Sequence, residues 1–201
     1  MSKPPPGRHT ASRGDPPAST ASLQVFRAVC EAHLDFVWRF AAYRGVPTDA
    51  LEHVVHKVFG VLHGRLVSLE HPEELRVAVA GITRNVVRAY LRQLTDHSPL
   101  EPVLGVPATV VLDFSHVQNI EQKSASERCD LILGKMTETE REVFILCEIE
   151  GLSLFETAEA LHIGESTLRS RLDDARKIFN VASAELRAQI FWTSRAPGTN
   201  P

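Results

Sequence analysis

Residues 158–177, AEALHIGESTLRSRLDDARK, carry side chains that are suited to contact with DNA. Arginines alternate with small hydroxylated residues just after the glycine that separates two short amphipathic stretches. The first turn of a DNA-reading helix reaches base edges, and cations elsewhere on it meet phosphates. The candidate base-contacting residues are Ser166, Thr167, Arg169 and Ser170. The candidate phosphate-contacting residues are Arg171, Arg176 and Lys177. The alternative is an ordinary helical hairpin with a solvated charged face.

Two aspartates interrupt this basic segment. Asp173 lies about one turn after the base-contacting positions, and its carboxylate either accepts a hydrogen bond from a cytosine amino group or repels phosphate. Both alternatives stay open, so Asp173 is included among the DNA-contacting candidates. Asp174 is predicted to face solvent or to pair with Lys177 or Arg171.

A second basic stripe lies upstream. Arg84, Arg88 and Arg92 recur every four residues, and no acidic residue occurs between positions 81 and 94. This spacing places them on one face of a helix, where they are suited to follow the phosphates of a DNA strand. Tyr90 offers a stacking surface for an unpaired base. The alternative is again a solvated helix face.

Other kinds of chemistry find less support in the sequence. His53, His56 and His63 fall on one predicted helix, but no cysteine or closely spaced His-x3-His pair accompanies them, and we predict no metal site. The sequence has no glycine-rich phosphate loop, nucleophile motif or paired-carboxylate site. We therefore predict that the protein is not an enzyme and needs no cofactor.

Composition indicates a globular protein with locally concentrated positive charge. The 201 residues carry a net charge of −3, so any nucleic-acid surface must be a local one. No apolar run is long enough for a membrane span, so no membrane insertion is expected. The three cysteines fit a reducing compartment, and we expect a cytoplasmic location.

The hydrophobic pattern predicts an all-α fold of two small helical domains joined by an irregular linker. The predicted organisation is a disordered proline-rich tail at 1–22, a helical domain at 23–94, the linker at 95–125, a helix-turn-helix domain at 126–186 and a C-terminal tail at 187–201. In the first domain, helices are predicted from about 23 to the Gly45 break, 48 to 66 and 73 to 94.

The helix-turn-helix is predicted from its punctuation. Two capping-box patterns, Thr137 with Glu140 and Ser153 with Glu156, mark helix starts, and Gly151 ends the first of these helices. The residues 162–164 are predicted to form the turn, with the glycine supplying its backbone freedom and Ser166 capping the next helix. That helix has a narrow apolar stripe, formed by Leu168, Leu172, Ala175 and Phe179.

These patterns together resemble a known family. TETEREVFILCEIEGLSLFETAEALHIGESTLRSRLDDARK (137–177) resembles the C-terminal helix-turn-helix of bacterial RNA polymerase sigma factors, most closely the extracytoplasmic-function (ECF) class. ALEHVVHKVFGVL (50–62) resembles the family's helix that binds the polymerase clamp, and ELRVAVAGITRNVVRAYLRQ (74–93) resembles its helix that grips and melts the −10 promoter element. The resemblance covers roughly residues 23–180 in the expected order.

The resemblance implies partners and site residues. The partners would be core RNA polymerase, promoter DNA and an anti-sigma factor. The residues implied for −35 binding are Ser166, Thr167, Arg169, Ser170, Arg171, Asp173, Arg176 and Lys177. The residues implied for −10 binding are Arg84, Asn85, Arg88, Tyr90 and Arg92. Those implied for polymerase binding are Glu52, His53, His56 and Lys57.

Departures from the family pattern leave two alternatives open. Lys57 reverses a charge of the clamp-binding helix, Ala78 replaces a tryptophan of the melting helix, and Ala89 replaces an aspartate near its end. One alternative is a sigma-like DNA-binding regulator that does not support initiation. The other is a protein-interaction module that sequesters an anti-sigma partner.

Overall fold

The structure, a computed structural model, describes residues 20–65, 72–96 and 123–195, and these residues form helices joined by short turns. The helices are α1 (Thr20–Tyr43), α2 (Thr48–Arg65), α3 (Pro72–Asp96), α4 (Lys123–Leu133), α5 (Glu138–Phe144), α6 (Leu154–Leu161) and α7 (Glu165–Arg195), with one π-helical turn at Ile145–Ile149. These three ranges contain no β-strand, and the predicted all-α fold class is confirmed. None of the described helices is long and apolar enough to cross a membrane.

Helices α1, α2 and α3 form the N-terminal unit around one apolar core. Gly45 adopts a φ of +90° and, with Pro47, separates α1 from α2. The inward apolar residues of α2 recur at helical spacing and are at most 1% exposed. These are Leu51, Val54, Val55, Val58, Phe59 and Leu62. Truncating a ring such as that of Phe59 to alanine would cost about 3–5 kcal/mol of stability.

Local capping interactions build the C-terminal unit. Thr137 accepts a hydrogen bond from the backbone of Glu140, and the Glu140 carboxylate accepts one from the backbone of Thr137; Ser153 and Glu156 repeat the arrangement. Both predicted capping boxes are therefore confirmed. The predicted buried stripe of α7 is also present, since Leu168, Leu172 and Ala175 are at most 3% exposed and the Phe179 ring stacks on Phe144 at 4.9 Å.

The turn between α6 and α7 differs from the prediction. The left-handed residue is His162, with a φ of +53°, whereas Gly164 is not among the positive-φ residues of the described chain. Ser166 is not the cap, because α7 begins at Glu165 and the Gly164 carbonyl accepts the first helical hydrogen bond, from Leu168. A left-handed histidine is tolerated here because its backbone N–H donates to the carbonyl oxygens of Ala158 and Glu159, which caps the end of α6.

The observed helices begin earlier and end later than the predicted domains. Helix α1 begins within the predicted tail, at Thr20, and residues 1–19 lie outside the described part. Most of the predicted linker, 97–122, lies outside it as well. Helix α7 continues to Arg195, beyond the predicted end of the domain at 186.

The two helical units pack against each other through α3 and α6. A β-carbon added at Gly81 of α3 would lie 3.4 Å from the carbonyl oxygen of Ala160 in α6, so the two backbones are close. Helix α1 also contacts α4 and the π-helical turn. The sequence predicted two domains and a linker, and did not predict this contact.

Candidate nucleic-acid interface

The first turn of α7 presents the predicted base-contacting side chains to solvent. Ser166, Thr167, Arg169 and Ser170 are all exposed, whereas Leu168 between them is fully buried and anchors the turn. Arg169 pairs with Glu165 at 3.2 Å, and both side chains are more than half exposed. Such a surface pair contributes at most about 1 kcal/mol. Arg169 is therefore readily available to an incoming base edge or phosphate.

The cations farther along α7 are already paired with carboxylates. Arg176 donates from Nε and Nη2 to Glu148 of the π-helical turn at 2.9 and 2.6 Å, and it lies 3.8 Å from Asp173. Lys177 donates to Asp174 at 2.9 Å, as predicted, and this bond raises the pKa of the lysine. These pairs leave residues 173–177 of α7 nearly neutral. The positive charge available for DNA is concentrated at Arg169 and the half-buried Arg171.

The predicted basic stripe on α3 is divided by the contact with the C-terminal unit. Arg84 donates from Nε to Glu142 of α5 at 3.1 Å, and its side chain is only 16% exposed. Asn85 and Arg92 are exposed, and Arg88 is half-buried. Only part of the stripe is thus accessible in this arrangement.

The predicted stacking role of Tyr90 does not fit the structure. Its side chain is 6% exposed and belongs to the hydrophobic core. Burial also raises the pKa of its hydroxyl, with a smaller contribution from Asp49. No base can stack on this ring while the helix is packed as it is here.

A set of ion pairs that the sequence analysis missed joins the two units. Arg44 at the end of α1 lies 3.1 Å from the same Glu142 that binds Arg84, and it also binds Glu138 at 2.7 Å. The Arg44 and Glu142 side chains are 3% and 5% exposed, so this contact is desolvated. Glu142 Oε1 makes no aligned hydrogen bond, and its attraction to Arg44 is therefore mainly electrostatic.

Two further arginines of the N-terminal unit bind the segment that ends the π-helical turn. Arg39 donates to both carboxylate oxygens of Glu150, at 3.0 and 2.8 Å, and this bond raises the pKa of the arginine. Arg76 donates to the carbonyl oxygens of Glu150 and Gly151 at 3.0 and 3.1 Å. Residues 121–160 contain ten acids and four bases, and this excess was the sequence signal for a basic partner surface.

The candidate polymerase-binding residues lie together on α2. Glu52 is exposed, and His53, His56 and Lys57 are half-buried. His56 Nδ1 lies 2.8 Å from the Glu52 carbonyl oxygen, which fixes the ring against its own helix. His63 instead packs edge-on against Phe26, with ring centroids 4.7 Å apart. No cluster of three or more metal-ligating side chains occurs among the described residues.

The C-terminal unit matches a known family model. Residues 126–178 match the family model described as Sigma-70, region 4. This range begins in α4 and includes α5, α6 and the first half of α7, so it contains the whole helix-turn-helix. A comparison with curated protein sequences finds no match.

Solved structures share the fold of most of the chain. CnrH, solved in complex with the cytosolic domain of CnrY, is similar with a TM-score of 0.59 and 23% sequence identity, over 85% of this chain and 95% of that one. The sigma factor RpoE of Bartonella quintana, solved with the anti-sigma factor NepR, is similar with a TM-score of 0.59 and 20% identity, over 80% of this chain and 98% of that one. The predicted resemblance to ECF-class sigma factors is thereby confirmed: residues 126–178 match the sigma-70 region 4 model, and most of the chain shares the fold of CnrH and of the sigma factor RpoE.

Proposed function

We propose that this protein is an ECF-type sigma factor, which binds core RNA polymerase and directs it to promoters by recognising their −35 and −10 elements. The observation that carries the proposal is the exposed first turn of α7 within the region that matches sigma-70 region 4. A polymerase subunit of this kind acts in the cytoplasm and makes no covalent change itself.

Recognition of the −35 element is assigned to the first turn of α7. Arg169 offers a guanidinium fork for a guanine edge, and Ser166 and Ser170 offer hydroxyl groups. A good bidentate contact of this kind discriminates between bases by about 1–3 kcal/mol. Because Asp173 and Asp174 neutralise the following turn, free protein should bind DNA weakly and with strong salt dependence. The affinity of the polymerase complex would then dominate promoter binding.

Recognition of the −10 element is assigned to α3. Asn85 and Arg92 are exposed in this arrangement, whereas Arg84 must first separate from Glu142. The C-terminal unit therefore has to move away from α3 before the whole basic stripe can follow a DNA strand. Tyr90 is left out of this assignment because it is buried.

Protein partners are assigned by position and by analogy. The outer face of α2, with Glu52, His53, His56 and Lys57, is proposed to bind the polymerase clamp. CnrH was solved with the cytosolic domain of CnrY, and RpoE with the anti-sigma factor NepR. The shared fold supports the proposal that an anti-sigma protein also binds this chain.

Titration of fluorescently labelled full-length protein with core RNA polymerase tests the proposal. Saturable binding is expected at about micromolar concentration or below. The triple variant Glu52→Ala, His53→Ala, Lys57→Ala should bind at least about tenfold more weakly, a loss of about 1.4 kcal/mol. Arg27→Ala is the matched control, because Arg27 lies on α1 and forms an exposed pair with Glu31, four residues away on the same helix. Absence of core binding by the wild-type protein would sink the proposal.

A second candidate is a sigma-like DNA-binding regulator that does not support initiation. The observation in its favour is the pairing of Arg84 with Glu142, which occupies the strand-gripping helix. This candidate predicts binding to a −35-like duplex without measurable affinity for core polymerase. The sigma-factor proposal predicts the reverse, with weak duplex binding by the free protein and tight binding only in the polymerase complex.

A further inference from the structure

A polar cavity of about 460 Å³ lies at the junction of the two helical units. The end of α1 supplies Arg44 to its wall, and the last turns of α3 supply Arg88, Arg92 and Thr95. The C-terminal unit closes the other side with Glu138 and Arg141 of α5. Four guanidinium groups and one carboxylate therefore line the same space.

The carboxylates nearby do not satisfy these four arginines. Arg44 is 4% exposed; its Nη2 binds Glu138 and lies near Glu142, but its Nε has no hydrogen-bond partner. Arg88 and Arg92 form no ion pair within the described residues. An unpartnered polar group in a buried cationic side chain is costly unless another group satisfies it.

Arg141 adds to the crowding of positive charge. Its Nε donates to the carbonyl oxygen of Leu133 at 2.8 Å, and its Nη2 donates to the carbonyl oxygen of Met136 at 3.4 Å. Both acceptors are neutral, so neither balances the charge of the guanidinium. Burial, and then the charge of Arg44, lower the pKa of Arg141. An anion placed among these side chains would relieve both the repulsion and the missing hydrogen bonds.

We propose that this cavity binds a small polyphosphate anion, either free or as the phosphate chain of a nucleotide. Guanidinium groups bind phosphate oxygens through paired, charge-assisted hydrogen bonds, and several of them here converge from different helices. The volume lies within the range of small-molecule sites. Because Glu138 and Arg141 of α5 form one wall, the site includes side chains of both units.

Binding at this site would hold the two units together. The ligand contacts Arg44, Arg88 and Arg92 on one unit and Arg141 on the other, so it binds the packed arrangement more tightly than a separated one. It would also occupy Arg88 and Arg92, which are proposed to contact the −10 strand. This consequence for promoter binding rests on the proposed function, whereas the binding itself does not.

Isothermal titration calorimetry of the full-length protein with inorganic tripolyphosphate tests the site, at an ionic strength of about 0.15 M. One-to-one binding is expected with a Kd below about 1 mM. Arg141→Gln and, separately, the exposed Arg92→Gln should each weaken it by about tenfold, the loss of a charge-assisted hydrogen bond. Arg27→Gln, far from the cavity, should bind as the wild type does, and circular dichroism checks that every variant is folded.

Two further titrations identify the source of the phosphate. Equal affinity for ATP and tripolyphosphate would show that the phosphate chain alone is recognised, and tighter binding of ATP would show that the nucleoside also contributes. The affinity of the protein for a single-stranded oligonucleotide should not change with Arg141→Gln. The proposal is overturned if tripolyphosphate does not bind saturably, or if both cavity variants bind it as tightly as Arg27→Gln does. It is also overturned if Arg141→Gln weakens binding of the oligonucleotide but not binding of tripolyphosphate.

Discussion

Replacing Glu142 with glutamine should separate the two helical units without unfolding either one. Glu142 belongs to α5, and both of its cationic partners, Arg44 and Arg84, belong to the N-terminal unit. The substitution keeps the shape of the side chain and removes its charge. All of the lost attraction therefore acts across the contact between the units.

The expected magnitude follows from burial. Removing one partner of a buried ion pair costs about 3–5 kcal/mol, because the other charge stays desolvated. Arg44 keeps its second partner, Glu138, and Arg84 retains some solvent contact, so the lower end of that range applies. About 3 kcal/mol corresponds to a shift on the order of 100-fold in the equilibrium between packed and separated units.

Small-angle X-ray scattering and amide hydrogen exchange measure this shift. Glu142→Gln should increase the radius of gyration and the exchange rates of α3 amides around Gly81, while the cores of both units stay protected. The matched control is Glu185→Gln, which removes an ion pair to Lys135 that is about half exposed on both sides and joins α7 to the end of α4 within one unit. If the two variants are equally compact, the interdomain ion pairs do not hold the units together.

Three other substitutions probe separate parts of the structure. Arg169→Ala should weaken binding of the polymerase complex to its −35 element by about 1–3 kcal/mol, measured by titration of labelled promoter; equal binding to wild type would contradict the −35 assignment. Asp173→His should strengthen binding to every DNA sequence if the aspartate repels phosphate, or change the preferred base if it reads one; a binding-site selection that shows neither would rule out both roles. Burial, and then the charge of Arg76, lower the pKa of His33 from 6.5, so the unfolded chain takes up the proton more readily and the free energy of unfolding should fall as the pH drops through that value. His33→Gln should flatten this fall in urea titrations between about pH 7.5 and about pH 5.5, and an unchanged slope would contradict it.

Features that depend on neighbouring residues could be predicted from the sequence. The capping boxes at Thr137 and Ser153 need only a glutamate three residues later, and both form. The buried stripe of α7 and the inward face of α2 follow from helical periodicity alone. Pairing of Asp174 with Lys177 is likewise a contact within one helical turn.

Other features were missed for physical reasons. Glycine adopts a left-handed conformation most easily, which favours Gly164 as the special residue of the turn, but in the structure that residue is His162, at the end of α6. The ion pairs of Arg39, Arg44 and Arg84 join residues far apart in the sequence, and no spacing rule connects them. The packing of the two units decides which of these arginines meets which acidic residue of the C-terminal unit, and the sequence alone does not specify that packing.

The sequence contains a signal for the burial of Tyr90. Val79, Val86, Val87 and Tyr90 are spaced by seven, one and three residues, which places the tyrosine on the apolar face of α3. Arg84, Arg88 and Arg92 are on the neighbouring face, where their availability depends on how the C-terminal unit packs.

Run-off transcription with core polymerase, from the promoter region upstream of the protein's own coding sequence, tests most directly whether the chain is a sigma factor. The expected result is a transcript of defined length that requires both the protein and core polymerase and that decreases with Arg169→Ala. The same transcript should become more abundant with Glu142→Gln, because Arg84 no longer pairs with this residue and is free to contact the −10 strand. Absence of any protein-dependent transcript, with core polymerase shown to be active with another sigma factor, would contradict the proposed function.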